Sequence, residues 1–333
     1  MITARDLDYH PHDPSATNWA ETLVCVFSVP EAGILGNAYV LVRPEVGAAI
    51  SSVVVHGGFA THAHDMDFVD PQVHMPAPER FSDFTLPSGL SLHADAAPRD
   101  FSVQYESNTP GACSLDLRFA AIADPFDTHD PAQNPLVVPD GAMDTGLGDV
   151  WANGHMDAVG RVTGELVLRG QRYAVDCVEG MDRSWGPRTE VGTAAAAWIH
   201  VTLGPEFALH VAMAMSIDDA GVVHYDGMRF GYVVEDGELH GLTDASVEAA
   251  RVDMVPVSNH IMATDVRGRR YEFHGSAVGG YPWHQFSPAY VCYQSLMRYE
   301  SDGRVGYAEH GDVFGIEYLA ARRSAGGRRA RTA

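Results

Sequence analysis

The chain has 333 residues, 46% of them hydrophobic and 9% aromatic, enough for a sizeable core and for two domains. All 22 basic residues are arginine, which excludes Schiff-base aldolases, pyridoxal-phosphate enzymes and lysine-dependent phosphate loops. A net charge of −22, with five arginines gathered in the acid-free tail 322–333, leaves an acidic body that disfavours nucleic acid and anionic membranes as partners.

In the first half, residues 23–29, 38–42, 50–55, 101–105 and 114–121 read as strands, mostly β-branched or aromatic. Residues 59–78 and 124–149 read as long connections rich in Pro, Asp and His. His56, His62, His64 and Asp65 stand near the start of the first connection, and His-x-His followed by Asp resembles a metal-ligand run. One flexible loop supplying every ligand would be unusual, and His74, His93 and His129 share no spacing with it. A metal enzyme is therefore kept as a rival, and no metal or organic cofactor is assigned.

The second connection carries Asp-Pro, Asn-Pro and Pro-Asp-Gly steps that cannot sustain a helix. The junction is placed there, giving an N-terminal β domain over 1–150, a C-terminal β domain over 151–321 and a disordered tail over 322–333. The four cysteines, Cys25, Cys113, Cys177 and Cys292, are scattered through strand-like runs without CxxC spacing, as buried free thiols are. The first residues lack an apolar leader and no apolar span reaches membrane length, so a cytoplasmic protein is expected.

Turn dipeptides punctuate the second half. Arg169-Gly170, Gly204-Pro205, Asp236-Gly237, Gly268-Arg269 and Asp302-Gly303 each separate two alternating runs. Five hairpins in series predict an antiparallel barrel or sandwich, and only residues 244–251 suggest a short helix. Small barrels either fill with side chains or hold one small apolar ligand. On 207–216, His210, Ala212, Ala214 and Ser216 share one face whose small side chains leave room for a ligand if it points inward.

Several groups could do chemistry. Gly180-Met181-Asp182-Arg183-Ser184-Trp185-Gly186-Pro187-Arg188 packs an acid, two guanidiniums and an indole into one Gly/Pro-bounded corner after a strand. It reads equally as a structural Arg–Asp corner and as a site where burial beside Trp185 tunes a carboxyl. His200 and His210 flank the Gly204-Pro205-Glu206 turn symmetrically and should face each other across it. His284 lies among Tyr281, Trp283, Tyr290 and Tyr293, aromatic faces able to stabilise a cation. On 307–315, Glu309 falls on one face and Asp312 on the other, and either would be a raised-pKa acid if buried. Tyr225 completes the binding set. No GxSxG elbow, HExxH or GxGxxG motif is present.

The run from Asp182 to Arg188, with 307–315, resembles the hydroxyneurosporene-synthase/AttH-like superfamily. The resemblance implies an all-β chain of two antiparallel lipocalin-like barrel or sandwich domains in tandem. It includes carotenoid 1,2-hydratase and kievitone hydratase, which add water to an isoprenoid double bond without an organic cofactor, and lipocalin-like cyclases and pericyclases. Only Asp182, Arg183, Trp185 and Arg188 carry over from it. The expectation is a cofactor-independent hydratase or dehydratase acting on an apolar isoprenoid- or polyketide-like molecule, with a cyclase or isomerase and a non-catalytic lipid carrier as alternatives. Its catalytic set is Asp182, Glu309, Asp312, His284 and His200. Trp185, Arg183, Arg188, Trp283, Tyr290, Tyr293, His210 and Tyr225 would bind substrate. If an arginine touches Asp182, Glu309 or Asp312 becomes the better acid. Partners beyond the small molecule are left open, a homodimer among them.

Overall fold

The computed structural model describes residues 1–137, 153–284 and 286–329. Two antiparallel sheets account for nearly all of it. The first contains β1 (Trp19–Val29), β2 (Ile34–Arg43), β3 (Ala48–Gly57), β4 (Phe68–Pro76), β5 (Asp83–Thr85), β6 (Leu90–Ala96), β7 (Asp100–Glu106), β8 (Cys113–Ala121), β9 (Phe126–Asp127), β10 (Gly154–Leu168) and β11 (Gln171–Pro187). They run in the order β4-β3-β2-β1-β11-β10-β8-β7-β6-β5, with β9 beside β10, and form an open half-barrel. The second sheet closes into an eight-stranded barrel. It comprises β12 (Ala195–Thr202), β13 (Phe207–Ile217), β14 (Val223–Glu235), β15 (Glu238–Val252), β16 (Val255–Asp265), β17 (Arg270–Trp283), β18 (Tyr290–Ser301) and β19 (Arg304–Gly315). Helix α1 (Ile316–Arg329) follows. The chain is thus all-β, with two lipocalin-like halves in tandem.

Each of the five turn signals joins two paired antiparallel strands. Several boundaries differ from expectation, each for a physical reason. β10 and β11 pair with β8 and β1, so the switch from sheet to barrel falls between Pro187 and Ala195 rather than at 150. β11 continues through the Gly180–Pro187 motif, because Trp19–Cys25 of β1 and Gly154–Leu168 of β10 hydrogen-bond along both its edges. Residues 244–251 are strand, held in the barrel by β16. The first Pro-rich connection contains β4, and the second is described only to residue 137. The tail expected to be disordered from Arg322 continues α1 as far as Arg329, and residues 330–333 lie outside the described ones.

Three apolar clusters hold the molecule together. One fills the concave face of the half-barrel, around Phe27, Phe81, Phe101 and Phe119. A second fills the barrel around Ile199, Val211, Met297 and Phe314. The third joins the halves: Val26, Leu35, Tyr39 and Val54 of the first sheet meet Ala208, Ala212, Tyr281, Trp283 and Leu296 on the outside of the barrel. The small face of β13 therefore points away from the barrel interior and against the other half. Backbone contact seals this seam, where Gly280 exchanges hydrogen bonds with Gly58 and Ala60 at 2.8–2.9 Å. A Cβ on Gly279 would stand 2.6 Å from the Gly33 carbonyl oxygen, so only glycine permits the approach. All four cysteines are free and buried. Among the described residues, no helix is long and apolar enough to cross a membrane.

Candidate active site

The seam between the halves opens into a cavity of about 110 Å³. Two strands of the half-barrel, β1 and β11, and two strands of the barrel, β18 and β19, supply most of its wall. Because side chains alternate along a strand, β11 sends Asp182 and Ser184 into the cavity while Arg183 and Trp185 point to the concave core behind it. On β19 the same rule presents Glu309, Gly311 and Val313 to the cavity, with His310, Asp312 and Phe314 turned into the barrel. Tyr39, Trp198, Trp283, Phe286 and Tyr290 form its aromatic wall. The Trp283 and Phe286 rings lie 4.5 Å apart, with Tyr39 edge-on to both.

Three carboxyls and one imidazole face this space, and their environments pull their protonation apart. Burial pushes Glu309 up to about 8, reinforced by the charge of Glu179 behind it. The Gln294 amide donates to Glu309 Oε1 and accepts in turn from Asn37 at 2.9 Å, which fixes the carboxyl's orientation. Glu179 is fully buried, accepts from Ser28 Oγ at 2.7 Å and from the Glu309 amide at 3.2 Å, and is likewise pushed by burial to about 8. Asp182 sits opposite Asp157 in the β10–β11 register. Burial, with Asp157 adding to it, lifts Asp182 to about 6 against the opposing charges of His155 and Arg188. Burial also acts on Asp157, but His155 at 3.1 Å and the neighbouring His210 outweigh it and hold that carboxyl below its ordinary range. His200 lies across from His210, ring centroids 4.4 Å apart, and burial drives both imidazoles toward the neutral form, His210 to about 4. The His200 ring fits because residue 180 is glycine: a Cβ there would stand 2.5 Å from it.

The expected site residues divide accordingly. Asp182, Glu309, His200, Arg188, Trp283 and Tyr290 line the cavity, and His210 stands directly behind His200. The others are placed elsewhere. Arg183 is fully buried in the half-barrel core, paired with Glu21 at 2.5 Å and lying over the Phe81 ring at 3.9 Å. Trp185 stacks on His10 at 3.8 Å, on the face of β11 away from Asp182, so it cannot supply the apolar wall for that acid. Asp312 is turned into the barrel, where Arg251 pairs with it and Tyr225 and His310 donate to it or stand within hydrogen-bond reach. Burial opposes its ionisation, but Arg251 and His310 prevail and its carboxyl sits below the ordinary range, unsuited to donate a proton. Tyr225 belongs to that network, and Tyr293 packs in the barrel core edge-on to Phe314. His284 is exposed and stands edge-on to Tyr293, outside the cavity wall.

The metal alternative does not assemble on its expected residues. His62 and His64 are 66% and 78% exposed, lie beside each other and pair with Asp65 on the surface, while His56 pairs separately with Asp67 at 3.2 Å. Among the described residues, the ligand atoms that converge belong to His260, Glu272 and His274, on the barrel surface.

Arg183 is thus a structural residue, and its removal has a definite expectation. Leaving the buried Glu21 carboxylate without its guanidinium, with only His10 and Trp19 of the described residues still bonded to it, destabilises by about 3–5 kcal/mol. Arg183→Met should lower the urea midpoint accordingly, and an unchanged midpoint would contradict this placement.

A tandem lipocalin-like chain with its cavity at the seam between half-barrel and barrel is the class that fold and geometry define. Residues 5–313 match the family described as a domain of unknown function, DUF7064, and the chain belongs to that family. No curated protein matches it in sequence. Its fold recurs among solved structures. An AttH-like protein from Nitrosomonas europaea is 11% identical, with 90% of this chain and 92% of that chain covered at a TM-score of 0.52. Kievitone hydratase from Nectria haematococca is 9% identical, with 91% and 90% covered at a TM-score of 0.53.

Proposed function

We propose that the protein is a cofactor-independent hydratase or dehydratase of an apolar, isoprenoid- or polyketide-like small molecule, with the seam cavity as its active site. The observation that carries this reading is the pairing of Glu309, held protonated at neutral pH, with Asp182, largely ionised there, across an aromatic-walled space. Two carboxyls set apart in this way divide into acid and base. The fold shared with kievitone hydratase adds support.

In the hydration direction, Glu309 gives its proton to one carbon of a C=C bond, whose π electrons form the new C–H bond. The cation left on the other carbon faces the rings of Trp283, Phe286 and Tyr290, which stabilise positive charge and keep bulk water out. A single water attacks that carbon, and Asp182 takes the proton it sheds. The net change is one added water, and the same steps reversed remove it. The proton on Asp182 returns to Glu309 between turnovers. A lipid carrier would need the apolar wall but not the two tuned carboxyls, which is why catalysis is preferred.

Mass spectrometry of molecules extracted from the purified protein, repeated after incubation in heavy-oxygen water, tests this directly. The expected result is an apolar ligand that gains one labelled water, lost in Glu309→Gln. An isomer of the ligand without label would indicate cyclisation or isomerisation, and an unaltered ligand would indicate a carrier.

A further inference from the structure

Behind His200, at the wall of the cavity, lies a cluster of polar atoms that the mechanism above leaves unused. His200, His210 and Tyr232 follow one another across β12, β13 and β14 in register, on the outer face of the barrel. Asp157 of the half-barrel faces them. All four are buried, at 3%, 0%, 1% and 1% exposure. Both ring nitrogens of each histidine, the Tyr232 hydroxyl and Asp157 Oδ1 receive no hydrogen bond from any described residue. Six polar atoms in so small a volume is far beyond what a folded core tolerates without a water or a ligand group to satisfy them.

Their arrangement specifies that ligand. His210 Nε2 stands 3.9 Å from Asp157 Oδ1, too far for a direct bond but close enough for both to hold one oxygen between them. A neutral imidazole offers one N–H and one bare nitrogen, so the two histidines present two donors and two acceptors. Asp157 is an ionised acceptor whose other oxygen is occupied by His155. An anion would be repelled by that carboxylate, and a group that only accepts would leave it unsatisfied. A hydroxyl both donates and accepts, so it can give its proton to Asp157 Oδ1 while accepting from an imidazole N–H or the Tyr232 hydroxyl.

We infer that Asp157, His200, His210 and Tyr232 form a hydroxyl-binding recess, which holds the oxygen that is water before addition and the alcohol of the ligand after it. The assignment of that oxygen to the reaction rests on the hydratase reading. The recess opens to the cavity at Asp157 and His200, beside Asp182, where the attacking water must lose its proton. It binds an apolar alcohol in preference to the alkene of the same skeleton. It also makes His200 and Tyr232 positioning residues.

The probes are α-terpineol and limonene, a tertiary alcohol and an alkene related by one water. Binding to the full chain is read by quenching of tryptophan fluorescence, since Trp198 and Trp283 line the cavity. The alcohol should bind about tenfold more tightly than the alkene, a gain typical of satisfying buried polar groups. Tyr232→Phe, which removes one oxygen, should reduce that preference to about threefold or less while limonene affinity stays unchanged, and His200→Leu should reduce it as far. Equal affinity for the two probes in the native chain, no binding of either, or variants that weaken both probes alike would overturn the inference. The measurement needs no turnover. Alcohol preference without incorporation of labelled water would remove the hydratase reading and leave the recess standing, and incorporation without preference would do the reverse.

Discussion

Glu309→Gln should slow turnover of the ligand identified by isotope labelling by about a hundred- to ten-thousand-fold, the range for loss of a general acid, with little change in KM. Glutamine keeps the shape of the side chain and can still accept from the Gln294 amide, but it has no proton to give. The pH profile of the native chain supplies the companion result. The donor must be protonated, so the rate of hydration should fall as pH climbs past about 8, where Glu309 ionises. The base must be ionised, so the rate should also fall as pH drops below about 6, where Asp182 takes up its proton. The result is a bell with its plateau between those values. Asp182→Asn should abolish the acid limb together with most of the rate, while Asp312→Asn should leave both limbs in place, because that carboxyl faces the barrel interior and is engaged by Arg251. Full turnover in Glu309→Gln, or a profile that stays flat between pH 5 and 9, would remove the acid–base assignment.

How far the sequence alone reaches depends on the distance over which each feature is decided. The hairpins were legible because Asp236-Gly237 or Asp302-Gly303 sets its turn within a few residues. Alternation likewise separated Glu309 from Asp312 and set His200 against His210. What alternation cannot tell is which face of a barrel strand is inside. Here the outer face is as buried as the inner, because the half-barrel lies over it, and so Asp312 read as well as Glu309. The motif from Asp182 to Arg188 looked like one cluster because its residues are adjacent in sequence, yet β11 sends them alternately to two different cores. Two carboxyls of the site were missed altogether. Glu179 accepts from the Glu309 amide across 130 residues of chain, and Asp157 meets His210 only where half-barrel and barrel come together. A faint signal existed in each case: Glu179 stands immediately before Gly180 in an otherwise strand-like run, and His155 and Asp157 share a face two residues apart. Neither becomes chemistry until the seam is closed.

The buried pair Glu179 and Glu309 should also make the fold unusually sensitive to alkali. Each carboxyl is protonated in the folded chain up to about 8, against an ordinary value of 4.5. Between those values the folded state binds more protons than the unfolded one, so stability falls as pH rises. The contribution is fully present below about 4.5 and is gone above about 8. At roughly 1.4 kcal/mol per pKa unit, each carboxyl removes on the order of 5 kcal/mol across that window. Glu179→Gln cannot ionise, yet its amide oxygen can still accept from the Glu309 amide while its NH2 group donates to Ser28 Oγ, much as a protonated carboxyl would. Its urea midpoint should match that of the native chain near pH 5 and exceed it near pH 9, by an amount corresponding to a few kcal/mol. The same substitution removes the charge that helps hold Glu309 protonated, so the basic limb of the activity profile should move to lower pH. A protein that retains Glu179 for folding alone would gain stability from its loss, without any shift of that limb. Equal dependence of stability on pH in the native chain and in Glu179→Gln would show that this carboxyl is already ionised in the folded state and has no part in the sensitivity to alkali.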